Sequence, residues 1–386
     1  AHNNTGITLN DLGKFEEALE AYNKALILKP DYPEAYNNMG IVLKERGKLE
    51  EALAAFDSAI SLKPDYATAY DNMGRLYWLD QSFTKAFELL EWRWKSKQED
   101  FIGNELISDK PKWIGEDNQK VFVWTEQGIG DEIMFSSTLH ELSSKSAKLI
   151  VECDKRLIPL YERSFPQKIQ FVDSRKDVME NEYSAQIAIG SLPKHFRKNL
   201  NDFENSSAGW LNAESEKTTS FRRKLQKQKN DKIIGISWFT KSEKITSQRR
   251  SVPIDLLANS LQHIPVRFVN LQYGETAEEL SQISSKYGIN VDQIDELDLF
   301  NDIDGLAALI SACDIVLSID NATVHLAGAL GIDTRVLLPL TADERWGLNS
   351  SNSYWYDSVT LYRQEVLGHW HKPLEHLTSD LKKTLS

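Results

Sequence analysis

Three stretches of this 386-residue chain combine residue types and spacings that suit chemistry on an anionic substrate. The first is Trp124–Phe135, WTEQGIGDEIMF, where Gly128 and Gly130 flank an isoleucine and two carboxylates, Asp131 and Glu132, follow. A short apolar run before it and another after it predict a strand, a tight turn and a helix start. Such a turn can cradle phosphate, because glycine lets backbone N–H groups approach an anion at a helix N-terminus. It can equally carry Asp131 to a cleft edge, where a carboxylate acts as a general base if it reaches the proton it removes. As a dinucleotide fingerprint the stretch is incomplete. Gly128 and Gly130 fit the first two glycines of G-x-G-x-x-G, Ile133 takes the third place, and Glu152 is the candidate ribose acid.

The second stretch is 313–331, CDIVLSIDNATVHLAGALG. A buried strand ends at Asp320, Asn321-Ala322-Thr323 makes the turn, and His325 falls in the first turn of a helix whose N-terminus would face an anion. Asn321 and Thr323 have the polarity for a phosphate or a ribose hydroxyl. The plainer reading is that Asp320 and Thr323 cap the helix and His325 is a satisfied structural histidine. The third stretch, 235–253, sets Lys241, Lys244, Arg249 and Arg250 within ten residues directly after a predicted strand. Arginine forks suit diphosphates; an exposed basic loop is the alternative. Asp302-Ile303-Asp304 has the form of a metal-binding D-x-D, but it precedes an alanine-rich helical run, so helix capping is the expectation.

The elements that must position these residues alternate. Val121–Trp124, Leu149–Cys153, Ile169–Val172 and Gln186–Ile189 read as strands, with helices over Ile133–Ser143 and Leu157–Ser164. Residues 201–230 are polar, and a second series then begins: strands Ile233–Trp238, Arg267–Gln272, Ile315–Ile319 and Arg335–Leu340, and helices Leu256–His263, Ala277–Lys286, Leu306–Ala312 and Val324–Leu330. Two α/β halves of this kind imply parallel sheets and a cleft at the carboxyl ends of the strands.

The front of the chain is different. AHNNTG at 1, AYNNMG at 35 and AYDNMG at 69 align without a gap, a period of 34. Gly6, Gly40 and Gly74 let one helix approach the next; Ala18, Ala52 and Ala86 receive it; Tyr22 and Phe56 fill the space; Pro30 and Pro64 end each unit. This is the tetratricopeptide pattern, whose concave face usually takes a peptide or protein. The third unit decays into Glu91-Trp92-Arg93-Trp94, and residue 1 falls inside a first helix, so further repeats are expected upstream.

Hydrophobic residues make up 41% and charged residues 26%, ordinary for a globular protein, and the net charge of −12 disfavours nucleic acid as the main partner. No apolar stretch reaches the ~20 residues of a membrane span. Two distant cysteines, Cys153 and Cys313, show no metal spacing and suit a reducing compartment, so the expected location is cytoplasmic.

Taken in order, Glu126-Gln127-Gly128-Ile129-Gly130-Asp131, Arg249-Arg250-Ser251 before Pro253, Leu271-Gln272-Tyr273-Gly274, Ser318-Ile319-Asp320 through His325 to Gly331, Glu344-Arg345-Trp346, and Trp355-Tyr356 through Leu361-Tyr362-Arg363-Gln364 form a set. The set resembles bacterial tetratricopeptide proteins whose C-terminal half is similar to the heptosyltransferase-like glycosyltransferases of family 9. The resemblance implies an α plus α/β chain: a tetratricopeptide solenoid over 1–102, a linker over 103–118, then a GT-B pair of Rossmann-like domains. These are an acceptor-side domain over 119–230 and a nucleotide-sugar domain over 231–365, with a C-terminal helix over 366–386. It implies metal-independent, inverting glycosyl transfer from a nucleotide-sugar donor, with no other cofactor, to a glycan or to a protein or peptide held by the concave face. Asp131 matches the family's base, Arg250 with Arg249 beside it the diphosphate contact, and Asp320, Asn321 and His325 the later turn. Lys241, Gln272 and Thr323 complete the implied donor set. The family usually carries Asp-Thr at 320–321, and this chain has Asp-Asn. Two rivals stand beside this reading: an inactive GT-B interaction scaffold, and a nicotinamide-dependent enzyme using Gly128, Gly130 and Glu152.

Overall fold

The structure, a computed structural model, describes residues 1–96, 105–204, 208–228, 231–240 and 249–385. The chain divides into two compact units. The first comprises Ala1–Leu106 with two later segments, Pro193–Asp202 and Leu340–Ser350. The sequence reading put those two segments inside the α/β domains; they pack with the repeats instead.

The 34-residue period folds as antiparallel helix pairs: α1 (His2–Asp11) with α2 (Phe15–Leu28), α3 (Pro33–Glu45) with α4 (Leu49–Leu62), and α5 (Ala67–Leu79) with α6 (Phe83–Leu89). The small residues do what their spacing predicts. A Cβ at Gly6 would sit 2.5 Å from the Tyr22 ring and one at Gly40 2.6 Å from the Phe56 ring, while Ala18, Ala52 and Ala86 are fully buried. In the third pair the aromatic position is Leu90, and the chain tightens there into a 3₁₀ turn over Leu90–Lys95. Trp92 from that turn stacks on Tyr70 of α5, with centroids 4.0 Å apart and planes 13° apart, which closes the end of the array.

The second unit holds two parallel sheets, among the described residues. The four-stranded sheet has the order β3–β2–β1–β4, from β1 (Lys120–Trp124), β2 (Lys148–Glu152), β3 (Ile169–Val172) and β4 (Ala185–Ala188). The six-stranded sheet has the order β10–β9–β8–β5–β6–β7, from β5 (Ile233–Ile236), β6 (Arg267–Asn270), β7 (Val291–Asp292), β8 (Ile315–Ile319), β9 (Thr334–Leu338) and β10 (Val359–Arg363). Parallel strands are covered on both faces, so β8 and β5 are buried at every position. In each sheet the strand order reverses once, between β1 and β4 and between β5 and β8. Those are the points at which open α/β sheets leave a crevice beyond their carboxyl ends.

Several boundaries moved for physical reasons. The helix expected over Ile133–Ser143 is two helices, α7 (Ile129–Ser136) and α8 (Leu139–Lys145). The hydroxyls of Ser136 and Thr138 bond the carbonyls of Ile133 and Phe135, each at 2.7 Å, and so compete with the helical ladder between them. The linker is no free tether from Ile107 on. Lys112 pairs in parallel with Gln186 of β4, the Trp113 N–H donates to the Gln186 carbonyl at 2.8 Å, and the Trp113 side chain is buried. Inside the polar 201–230 stretch lies a helix, Ser215–Leu225, capped by the Glu214 carboxylate and anchored by Phe221 and Leu225. The C-terminal helix begins at His371, not 366. Asp302 caps the helix Ile303–Ser311 by accepting the Gly305 N–H at 2.7 Å, as its sequence context predicts.

Candidate functional site

The first β–α turn and the later one meet inside the second unit. Gly128, with extended backbone, precedes α7, and Asp131 and Glu132 fall in its first turn. Gly130 is therefore inside the helix and does not form the turn, a correction to the sequence reading. Its lack of a side chain serves a close approach: a Cβ there would lie 2.9 Å from His325 Cδ2 and 3.6 Å from Ala322 Cα. Those atoms belong to the start of the helix Ala322–Ala329, whose N-cap is Asn321. The turn bearing Asp131 thus packs on the helix N-terminus that follows Asp320.

At the carboxyl edge of the six-stranded sheet a hydrogen-bond network ties three strand ends together. The buried Gln272 Oε1 accepts from Ser237 Oγ at 3.1 Å and from the N–H groups of Trp238 and Phe239 at 3.0 Å each. That convergence bends the chain away from β5 after Ile236, two residues short of the expected Trp238. Asn321 Nδ2 donates to Ser237 Oγ at 2.9 Å, and Asn321 Oδ1 accepts from the Thr323 N–H at 3.0 Å and from Ser318 Oγ at 3.1 Å. The amide therefore does two jobs, capping the helix and stitching β8 to β5 across the switch point.

Asp320 is buried, and Arg250 Nη1 lies 3.1 Å from its Oδ2. Arg363, at the end of β10, is a second cation coupled to Asp320. Burial lowers its pKa to about 10, and the Asp320 charge works against that fall. Arg249 stands beside Arg250, half-buried. Thr323 and His325 are both buried, and His325 Nδ1 is 2.8 Å from the Tyr356 hydroxyl. Tyr356 in turn stacks on Trp210, whose indole N–H donates to Ser136 Oγ of α7 at 2.9 Å. This chain of contacts fixes the histidine relative to α7. Lys241, and its neighbour Lys244, lie outside the described residues.

Other carboxylates nearby have structural employment. Glu152, the ribose acid of the nicotinamide reading, accepts the Thr125 N–H at 3.1 Å and the Arg175 N–H and Nε at 2.9 Å, which counts against that reading. Glu132 is buried and accepts the Asp154 N–H at 3.0 Å. Burial first, then the charges of Asp154 and Glu152, push its pKa up to about 8 against the pull of that N–H and of Arg156. Among the described residues no group of three or more His, Cys, Asp or Glu side chains is placed to hold a metal ion, and no helix is long and apolar enough to cross a membrane.

A cavity of about 570 Å³ opens beside Gln272, lined also by Tyr273, Ile294, Asp298, Leu299 and Phe300. The Tyr273 and Phe300 rings are 5.8 Å apart. Sequence reasoning did not assign roles to Phe300, Tyr356, Trp210 or Arg363. Arg363 and Tyr356 stood in the quoted pattern, but nothing in their spacing marks a strand end that the fold carries to Asp320 or a ring that reaches His325.

Residues 6–45 and 42–81 match the family of TPR repeat sequences. Protein FlbA of Caulobacter vibrioides is 28% identical over an alignment of 317 residues that covers 75% of this chain and 52% of that protein. The chain thus spans about half the length of that curated relative. Among solved structures, a glycosyl transferase of family 9 from Veillonella parvula is 12% identical, with a TM-score of 0.48 over 70% of this chain and 98% of the other. The ADP-heptose LPS heptosyltransferase II of E. coli is 13% identical, with a TM-score of 0.46 over 69% of this chain and 100% of the other.

Proposed function

We propose that the second unit is an inverting glycosyltransferase that moves a sugar from a nucleotide-sugar donor to a hydroxyl acceptor. The observation that carries this reading is the packing of the Asp131 turn on the N-terminus of the helix Ala322–Ala329, through Gly130 and His325. One side supplies a carboxylate in a helical first turn; the other supplies a helix N-terminus and Arg250 held by Asp320.

In the proposed reaction Asp131 takes the proton of the acceptor hydroxyl. The acceptor oxygen attacks the anomeric carbon, the bond from that carbon to the diphosphate oxygen breaks, and the nucleoside diphosphate leaves with the electron pair. Arg250, Arg249, Arg363 and the positive end of the helix at Asn321 neutralise the charge that develops on the leaving group. Gln272, Thr323 and the aromatic-walled cavity beside Gln272 suit the nucleoside, since such cavities lie within the usual 300–1,000 Å³ of ligand sites. Asn321 still caps this helix, its Oδ1 accepting the Thr323 N–H as a threonine hydroxyl would.

The test is a thermal-shift series with UDP, GDP, ADP and CMP on the protein and on Asp131→Asn and Arg250→Ala. A nucleoside diphosphate at a hundredfold its Kd adds about 2.7 kcal/mol. The reading expects a shift with one nucleotide, retained in Asp131→Asn and lost in Arg250→Ala, and transfer slowed about 10²–10⁴-fold in Asp131→Asn. No shift with any nucleotide moves the weight to an inactive scaffold.

A further inference from the structure

The first unit contains a contact that its repeat pattern does not call for. Within the 34-residue frame, Asp71 takes the place of Asn3 and Asn37, and Arg75 takes the place of Ile7 and Ile41. The third repeat alone has changed both positions to charges, one helical turn apart on α5. The two meet: Arg75 Nε lies 3.0 Å from Asp71 Oδ2, and Asp71 is fully buried. Arg75 Nη1 then faces Glu344 Oε2 at 3.8 Å, while Lys44 of α3 pairs directly with the other oxygen, Glu344 Oε1.

Glu344 belongs to the segment Leu340–Ser350, which packs with the repeats. It sits in a 3₁₀ turn, Glu344–Trp346, capped by Asp343, whose carboxylate also holds Arg345 Nε at 2.8 Å. The Glu344 side chain is only 8% exposed and Trp346 is fully buried. Leu348 rests against the tight turn at Gly47. The segment begins two residues beyond β9, which pairs with β8 in the register Ile319↔Leu337, next to Asp320.

We infer that Lys44 and Arg75, oriented by Asp71, are positioning residues that hold the 343–346 turn, so that the repeats fix the donor-side segment following β9. The inference deepens the glycosyltransferase reading and rests on it for its kinetic consequence. It assigns the substituted third repeat a ligand within the chain itself. Two cations on one carboxylate, oriented by a buried aspartate, are worth more than an exposed pair, because breaking such a contact leaves charges without their partners.

The experiment compares hydrogen exchange of residues 340–350 in the full chain with three variants. Glu344→Gln removes the anion. The double variant Asp71→Asn/Arg75→Ile restores the side chains of the first two repeats and so preserves a foldable array. Lys44→Met removes the cation contributed by α3. The inference expects exchange in 340–350 to rise about tenfold or more in the first two and to rise also in Lys44→Met. It also expects the donor KM to rise with kcat nearly unchanged. Unchanged protection in both Glu344→Gln and the double variant overturns the inference. So does lost protection with an unchanged donor KM or, where transfer is not measurable, an unchanged nucleotide-induced melting shift. A parent protein that binds no nucleotide refutes the transferase reading instead, and the exchange result alone then decides whether the repeats hold the turn.

Discussion

Glu132→Gln should stabilise this protein, and the gain should depend on pH in a calculable way. Glu132 is 4% exposed, and its pKa stands at about 8 in the folded chain against 4.5 for the free group. Between those values the folded state binds a proton that the unfolded chain has released. Stability from this group is therefore intact below pH 4.5, falls as pH rises, and is fully lost above about 8. Each pH unit in that window is worth about 1.4 kcal/mol, so at pH 7 the protonated carboxyl costs about 3 kcal/mol. Glutamine is neutral at every pH, has nearly the same shape, and keeps an oxygen to accept the Asp154 N–H now bonded at 3.0 Å. The assay is urea unfolding of both proteins at pH 5, 6, 7 and 8. The variant should exceed the parent by less than about 1 kcal/mol at pH 5, by about 3 kcal/mol at pH 7, and by more at pH 8. Asp154 and Arg156 titrate alike in both proteins, so they largely cancel in the difference. Parallel stability curves, or a variant less stable than the parent at pH 7, would refute the claim that Glu132 is buried and protonated behind the Asp131 turn.

Gly130→Ala should cost about 1–3 kcal/mol despite the better helix propensity of alanine, because the new methyl meets the His325 ring at 2.9 Å. Thermal melting reads the loss, and transfer activity should fall further than stability does. Tyr356→Phe removes the hydroxyl 2.8 Å from His325 Nδ1 between two buried rings and should cost about 1–2 kcal/mol by chemical denaturation. With the ring still stacked on Trp210, the variant should fold as the parent does, so any drop in kcat reports the orientation of His325.

By itself the sequence determined the repeats and the alternation of strand and helix. These are local signals. A 34-residue period repeats because each helix pair must bury the same face against the next, and Gly6 over Tyr22 shows the pattern realised. Asp302 as a cap and β3 and β8 at their expected bounds belong to the same class, since apolar runs and capping residues act over a few neighbours. Tertiary structure decided the rest. That Gly130 exists for His325, and not for a turn, needs the packing of two segments nearly two hundred residues apart. That Asn321 ties β8 to β5 follows from the reversal of strand order, which composition does not encode locally. The charge of Arg363 interacts with that of Asp320 because β10 joins the sheet at its edge beside β9. Glu344 stood in the quoted pattern without a role; the fold seats it against Lys44 and Arg75, where burial turns an ordinary carboxylate into a fixed contact.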